Sequence, residues 1–247
     1  ASMSYREHTR RLVADAKILY ALLDVAVGRE TDSAATFWDE AWLPERLHAL
    51  FARATVTRDG RTLPLIRSER TLLESRFPAP RAKPPAWAPY YAAIGLSLGI
   101  AIALIGHLAA SGRRAFRIAL GGLYFVLGTS LGLLALALCY LTFFSAHSAA
   151  ASNYNVLLLP PWLIALSSAG IGVMRGKARA LRVAHGVALG ALSSSLLALL
   201  IHAFSQGAQS NLPELAAVLP LWLGLTLSTR QFDSSRHGRH AQRAPST

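Results

Sequence analysis

The residues that could do chemistry in this chain are few, and most lie in apolar surroundings. His147, Asn153 and Asn155 form the pattern H-x5-N-x-N, with Tyr154 between the asparagines, directly before Pro160-Pro161. A histidine there could act as a base or a hydrogen-bond donor. The plainer reading is that an asparagine caps a helix and His147 sits in solvent. Glu214 is the one acid in the apolar region, with Asn211 nearby. It could pair with His147 or His202 across a bundle, or simply sit at a helix N-terminus, where the dipole favours it. His107 and His185 read as interfacial. Cys139 has no activating base close in sequence and reads as packing. His237 and His240 have metal-like spacing but no further ligand. No metal and no cofactor is expected.

These residues are positioned by five apolar runs, roughly 87–111, 115–144, 156–173, 181–205 and 212–229. About 20 apolar residues suffice for a helix to cross a bilayer. From Ser75 to Pro213 there is no Asp or Glu. Buried core helices could explain one such run, but not five in series. Gly95/Gly99, Gly128/Gly132 and Gly186/Gly190 are GxxxG pairs inside these runs. They allow close helix contact, expected within one bundle.

Composition agrees. The chain has 247 residues, 53% of them hydrophobic and only 15% charged, with a mean hydropathy of +0.35. Soluble domains carry about a quarter charged residues, so an ordinary soluble enzyme is excluded. Disorder is excluded by the hydrophobicity, and a disulfide framework or cysteine zinc site by the single cysteine. There is no Walker loop, dinucleotide fingerprint, HExxH or GxSxG elbow.

The net charge of +12 comes from basic clusters placed between the runs. Arg113, Arg114 and Arg117 follow the first; Arg175, Lys177, Arg179 and Arg182 the third; Arg230, Arg236, Arg239 and Arg243 the fifth. The connections after the second and fourth carry no Lys or Arg. The positive-inside rule then places the basic connections in the cytoplasm and residues 1–85 outside. The expected location is a bacterial cytoplasmic (inner) membrane with a periplasmic N-terminal segment. The basic tail reads as a topology signal, not a nucleic-acid arm. The chain starts at Ala1 without a signal peptide, so an upstream part is expected to be missing or cleaved.

Residues 1–85 hold 14 of the 25 basic and 11 of the 13 acidic residues. Residues 4–27 have helical spacing, with Leu12, Ala16, Leu19 and Leu23 on one face beside Tyr20. Pro44 opens a second helix whose buried side would be Leu47, Leu50 and Phe51. Residues 54–67 read as a hairpin turning at Asp59-Gly60, with Val56, Leu63 and Leu65 apolar. The fold class expected is mainly α: a polytopic membrane protein with five transmembrane helices, preceded by a small α+β extracytoplasmic segment. The domains expected are 1–76, a Pro-rich linker 77–86, the membrane module 87–229 and a basic tail 230–247.

Several stretches in order carry a resemblance: SYREHTRRLVAD, LLDVAVGRETDSAATFWDEAWLPERLHAL, VTRDGRTLPLIRSERTLL, HSAAASNYNVLLLPPW and NLPELAAVLPLWLGL. Together they resemble the Lnb-like family: the closing part of its N-terminal periplasmic domain, then its five-helix transmembrane module. The matching positions are Tyr5, Arg6, His8, Trp42, Leu43 and Pro44, then His147, Asn153, Asn155, Asn211 and Pro220. The resemblance implies acyl transfer, in which a fatty acyl chain on a lipoprotein's diacylglyceryl-cysteine moves to the amine of that cysteine. It also implies a papain-like His and Cys in FGH-like and NC-like motifs upstream of the YREH stretch. This sequence has neither motif, so no catalytic residue carries over, and the 247 residues alone are expected to be inactive.

The implied partners are membrane lipids, bacterial lipoproteins and the upstream catalytic half. The competing reading is a non-enzymatic membrane anchor or partner-binding envelope protein. A transporter is disfavoured by the absence of an inverted repeat and by the single acid near the membrane.

Overall fold

The computed structural model describes residues 3–241 apart from 37, 77 and 206, and for 231–241 the backbone only. It divides into two compact units: Ala1–Tyr20 with Thr31–Pro85, and Ala21–Glu30 with Ala86–Thr247. Residues 21–30 thus group with the membrane helices.

In the first unit, α1 spans Tyr5–Leu12. It opens on a capping box: Ser4 Oγ accepts from the Glu7 amide, and Glu7 Oε2 from the Ser4 amide. The single helix expected over 4–27 is two. The chain turns at Val13–Ala16, where Ala14 is buried and Asp15 accepts from Arg81 at 2.7 Å, and α2 then runs Lys17–Ala26. The expected apolar face is wrong for α1. Arg6, His8 and Arg11 are its buried residues, while Tyr5 and Leu12 are exposed.

The inversion has an electrostatic cause. Arg6 Nε donates to Asp32 at 2.7 Å. Arg11 donates to His8 Nδ1 through Nε at 3.1 Å and to Glu45 through a terminal nitrogen at 2.5 Å. Because Arg11 can only donate, His8 Nε2 is the ring's donor to Glu40, 3.0 Å away. Buried charges persist when paired and hydrogen-bonded. Both ring nitrogens of His8 are therefore occupied by structural contacts.

Helix α3 spans Pro44–Arg53, with Pro44 in its first turn. None of its residues is buried, so Leu47, Leu50 and Phe51 do not form a core. Strands β1 (Thr55–Arg58) and β2 (Arg61–Pro64) form the expected hairpin. Val56 faces Leu63, and Asp59 and Gly60 both have positive φ, as a type I′ turn requires. Val56, Leu63 and Leu65 are nonetheless exposed.

The second unit contains five helical stretches long and apolar enough to cross a membrane: Ala88–Ala110, Arg114–Phe143, Asn155–Met174, Ala178–Phe204 and Leu212–Arg230. Each lies within a few residues of its apolar run. We call the first two α4 and α5. The third is broken. Helix α6 (Asn155–Leu158) stops before Pro160-Pro161, a 3-10 turn follows, and α7 (Ala165–Met174) completes the span. The prolines lack the N–H groups that would continue the ladder to Val156 and Leu157. At the break the Leu158 carbonyl accepts from Trp222 Nε1 at 3.2 Å, the kind of repair a neighbouring helix supplies in a bilayer. Helix α8 spans Ala178–Phe204 and α9 Leu212–Ala241.

Packing closes the helices into a ring in chain order: α4 on α5, α5 on α7, α7 on α8, α8 on α9, and α9 back on α4. Its core includes Ile102, Leu120, Tyr124, Leu163, Leu166 and Trp222. Two GxxxG pairs make close backbone approaches. A Cβ at Gly95 or Gly99 would strike the backbone of Ala217 or Pro220, and one at Gly128 or Gly132 the backbone of Ser167 or Ile164. The third pair does not follow: Gly186 faces open space, and Gly190 meets the Trp162 side chain. Polar pairs add to the packing. Ser228 Oγ donates to the Leu225 carbonyl, so the Tyr124 hydroxyl donates to Ser228, at 2.5 Å.

Candidate functional site: a side-chain amide cluster at one end of the bundle

One end of the bundle is formed by the α5–α6 connection and the α8–α9 connection, with residues 24–30 against them. Helix α2 ends there. The last carbonyls of a helix have no partner within it and must find one elsewhere. Leu23 is served by the Val27 amide at 3.1 Å. The next four carbonyls are served by side-chain amides. Asn155 Nδ2 donates to Asp24 at 3.4 Å and to Val25 at 3.0 Å. Asn153 Nδ2 donates to Val25 at 2.8 Å and to Ala26 at 3.0 Å. Gln209 Nε2 donates to Val27 at 3.2 Å.

The same amides are tied to one another. Gln209 Nε2 donates to Asn153 Oδ1, and Asn211 Nδ2 to Asn155 Oδ1, each at 3.0 Å. The Asn155 amide also donates to Asn153 Oδ1 at 3.0 Å, and the Tyr154 amide to Gln209 Oε1 at 2.7 Å. Asn153, Asn155, Gln209 and Asn211 are all buried, at 3% exposure or less. Because carbonyls only accept, they fix which end of each amide carries nitrogen. Both side-chain N–H groups of Asn153, Asn155 and Gln209 are then spent. The cluster holds backbone in place, and these three residues have no side-chain donor left for a ligand.

Backbone contacts complete the attachment. The Gly28 amide donates to the Ala149 carbonyl at 2.8 Å, and a Cβ at Gly28 would collide with the Ala151 carbonyl. Arg29 donates to the Tyr154 hydroxyl at 3.0 Å and lies over its ring, 5.9 Å from the centroid. The Tyr154 contact holds the Arg29 guanidinium above its ordinary value.

The expected residues divide accordingly. Asn153 and Asn155 come together, with Asn211 as their neighbour. His147 does not join them; it is exposed, ahead of a short 3-10 turn at Ser148–Ala150. Tyr154 is the cap residue of α6 and makes no side-chain cap bond, while Asn153 Oδ1 takes the amide of Asn155, the helix's first residue. Glu214 is in the first turn of α9 and buried, at 7% exposure. His202 Nδ1 donates to the Gln209 carbonyl at 3.2 Å.

Elsewhere, His185 Nδ1 lies 2.8 Å from Thr229 Oγ1, and Cys139 is half-buried in α5. The side chains of His237 and His240 lie outside the described residues. Among the described residues no group of three or more His, Cys, Asp or Glu could hold a metal ion.

Sequence reasoning missed Gln209, Arg29 and the carbonyls of Asp24–Val27. Gln209 carried a signal, as a polar residue two positions before Asn211. The carbonyls carried none, because every residue type has one.

A family model described as the Lnb transmembrane domain matches residues 82–229, well over half of the chain and all five spans. No curated protein and no solved structure matches the chain.

Proposed function

We propose, since the chain belongs to the Lnb transmembrane-domain family, that it is a bacterial inner-membrane protein working in lipoprotein N-acylation. The reaction class is acyl transfer: a fatty acyl chain leaves the diacylglyceryl group of a lipoprotein's terminal cysteine for that cysteine's amine. In this reading residues 1–85 face the periplasm and the tail the cytoplasm. The alternation of basic and non-basic connections supports that orientation.

The observation that carries the reading is the amide cluster on the carbonyls of Asp24–Val27. It gives the five-helix module a positioning task at one end: holding a segment that lies outside the spans. The nucleophile is a separate matter. The one cysteine, Cys139, is in a membrane helix, so the Cys–His pair of a thiolate transfer would come from outside these 247 residues.

A second reading is favoured by the same cluster. With the side-chain N–H groups of Asn153, Asn155 and Gln209 spent on structure, the module could be an anchor without a part in the chemistry. Mass spectrometry of lipoprotein N-terminal peptides separates the two. Deleting the gene should leave lipoproteins one acyl chain short, and restoring it should return the chain. Fully acylated lipoproteins in the deletion strain would overturn the first reading and leave the anchor.

A further inference from the structure

The opposite end of the bundle carries a cluster of cations without ion-pair partners among the described residues. Arg113, Arg114 and Arg117 stand where α5 begins; Arg175, Lys177 and Arg179 stand where α7 gives way to α8. These two places adjoin, because the Arg117 guanidinium packs on Gly176, 3.4 Å from where a Cβ would stand. None of the six cations makes an ion pair among the described residues. Five are exposed. The sixth, Arg117, is partly buried, and its Nε is buried without a hydrogen-bond partner.

Two further features concentrate positive potential here. Helices α5 and α8 both start at this end. Neither has a side-chain cap, and neither has an acid in its first turn. Helix starts favour anions, and cations beside them are unfavourable. A topology signal accounts for the number of basic residues in a connection. It does not account for a guanidinium drawn between two connections with a buried N–H left unbonded, which is costly unless an acceptor arrives. The ends of membrane helices lie among lipid headgroups, where the available acceptor is phosphate, and arginine binds phosphate through a planar fork.

We propose that this end of the bundle binds the phosphate groups of anionic phospholipids, with Arg117 at the centre of the site and Arg113, Arg114, Arg175, Lys177 and Arg179 around it. The site does not depend on which face of the membrane it occupies.

The test is native mass spectrometry of the full chain in detergent, titrated with cardiolipin or with phosphatidylcholine. The wild type should retain cardiolipin and not phosphatidylcholine. Arg117→Gln should weaken retention about fivefold, the effect of one cation near a headgroup. Arg117→Lys should restore it only in part, because the charge returns but a point charge lacks the fork. Arg175→Gln with Lys177→Gln, on an exposed turn, should weaken it further and keeps the test open if Arg117→Gln does not fold. Arg58→Gln in the hairpin should change nothing. Inorganic phosphate should not displace cardiolipin; displacement would replace the lipid with free phosphate as occupant. Equal retention of the two lipids, or cardiolipin retained as in the wild type by both Arg117→Gln and the Arg175→Gln, Lys177→Gln double variant, would overturn the proposal.

Discussion

Gln209 and Asn153, from different connections of the bundle, share a hydrogen bond of 3.0 Å between buried side-chain amides. The second N–H of that Gln209 nitrogen goes to the Val27 carbonyl. One residue therefore joins the α8–α9 connection, the α5–α6 connection and the end of α2. Removing a partner from a buried network leaves its neighbours unsatisfied, which costs about 1–3 kcal/mol per group. Gln209→Leu should destabilise the detergent-solubilised protein by that order, read as a lower thermal midpoint, and Asn153→Ala at least as much. His147→Ala, at an exposed position, should leave it unchanged.

Close backbone approach gives a second expectation. Gly28→Ala places a methyl group against the Ala151 carbonyl, and Gly99→Ala places one against Pro220. Neither neighbour is a flexible side chain, so the facing backbones must move apart. Both variants should lose assembled protein, read as the monodisperse fraction on size exclusion. Gly186→Ala meets nothing and is the control.

Trp222→Phe keeps most of the buried ring and removes the N–H that serves the Leu158 carbonyl. A loss of about 1–3 kcal/mol is expected for a buried carbonyl left without its donor. Trp222→Phe should lower the thermal midpoint, while Trp162→Phe, half exposed, should not.

The N-terminal unit should be sensitive to acid. Burial alone would raise the Glu45 carboxyl, but the Arg11 hydrogen bond, a backbone hydrogen bond and the charges of Arg11 and Arg46 together outweigh it and hold the group below its ordinary 4.5. Thr36 holds Asp39 low through side-chain and backbone hydrogen bonds. A carboxyl depressed by folding stabilises the folded state above its unfolded value, and that stabilisation is lost as pH falls through the folded value. Glu45 is partly exposed, so solvent screens the effect. Wild type and Glu45→Gln should differ in thermal midpoint at neutral pH. The difference should vanish on acidification.

What could be read from sequence followed local signals. The five spans came from apolar length, and the hairpin from Asp59-Gly60. Apolar length alone carries the third span straight through Pro160-Pro161, where the structure breaks it. Other features depend on partners distant in sequence. The buried face of α1 is polar because Asp32, Glu40 and Glu45 meet Arg6, His8 and Arg11, and helical periodicity cannot reveal those partners. Asn153 and Asn155 could be picked out as polar residues in apolar surroundings. Their acceptors could not, since these are main-chain carbonyls.

The central claim is that the asparagine and glutamine amides hold the end of α2 in place. Hydrogen exchange over residues 21–30 tests it most directly, in the wild type and in Asn153→Ala with Asn155→Ala. Val27 and Gly28, whose amides donate to Leu23 and Ala149, should be as protected in the wild type as the core of α5. In the double variant they should lose that protection while α5 keeps its own. Rapid exchange at Val27 and Gly28 in the wild type, or unchanged protection in the variant, would contradict it.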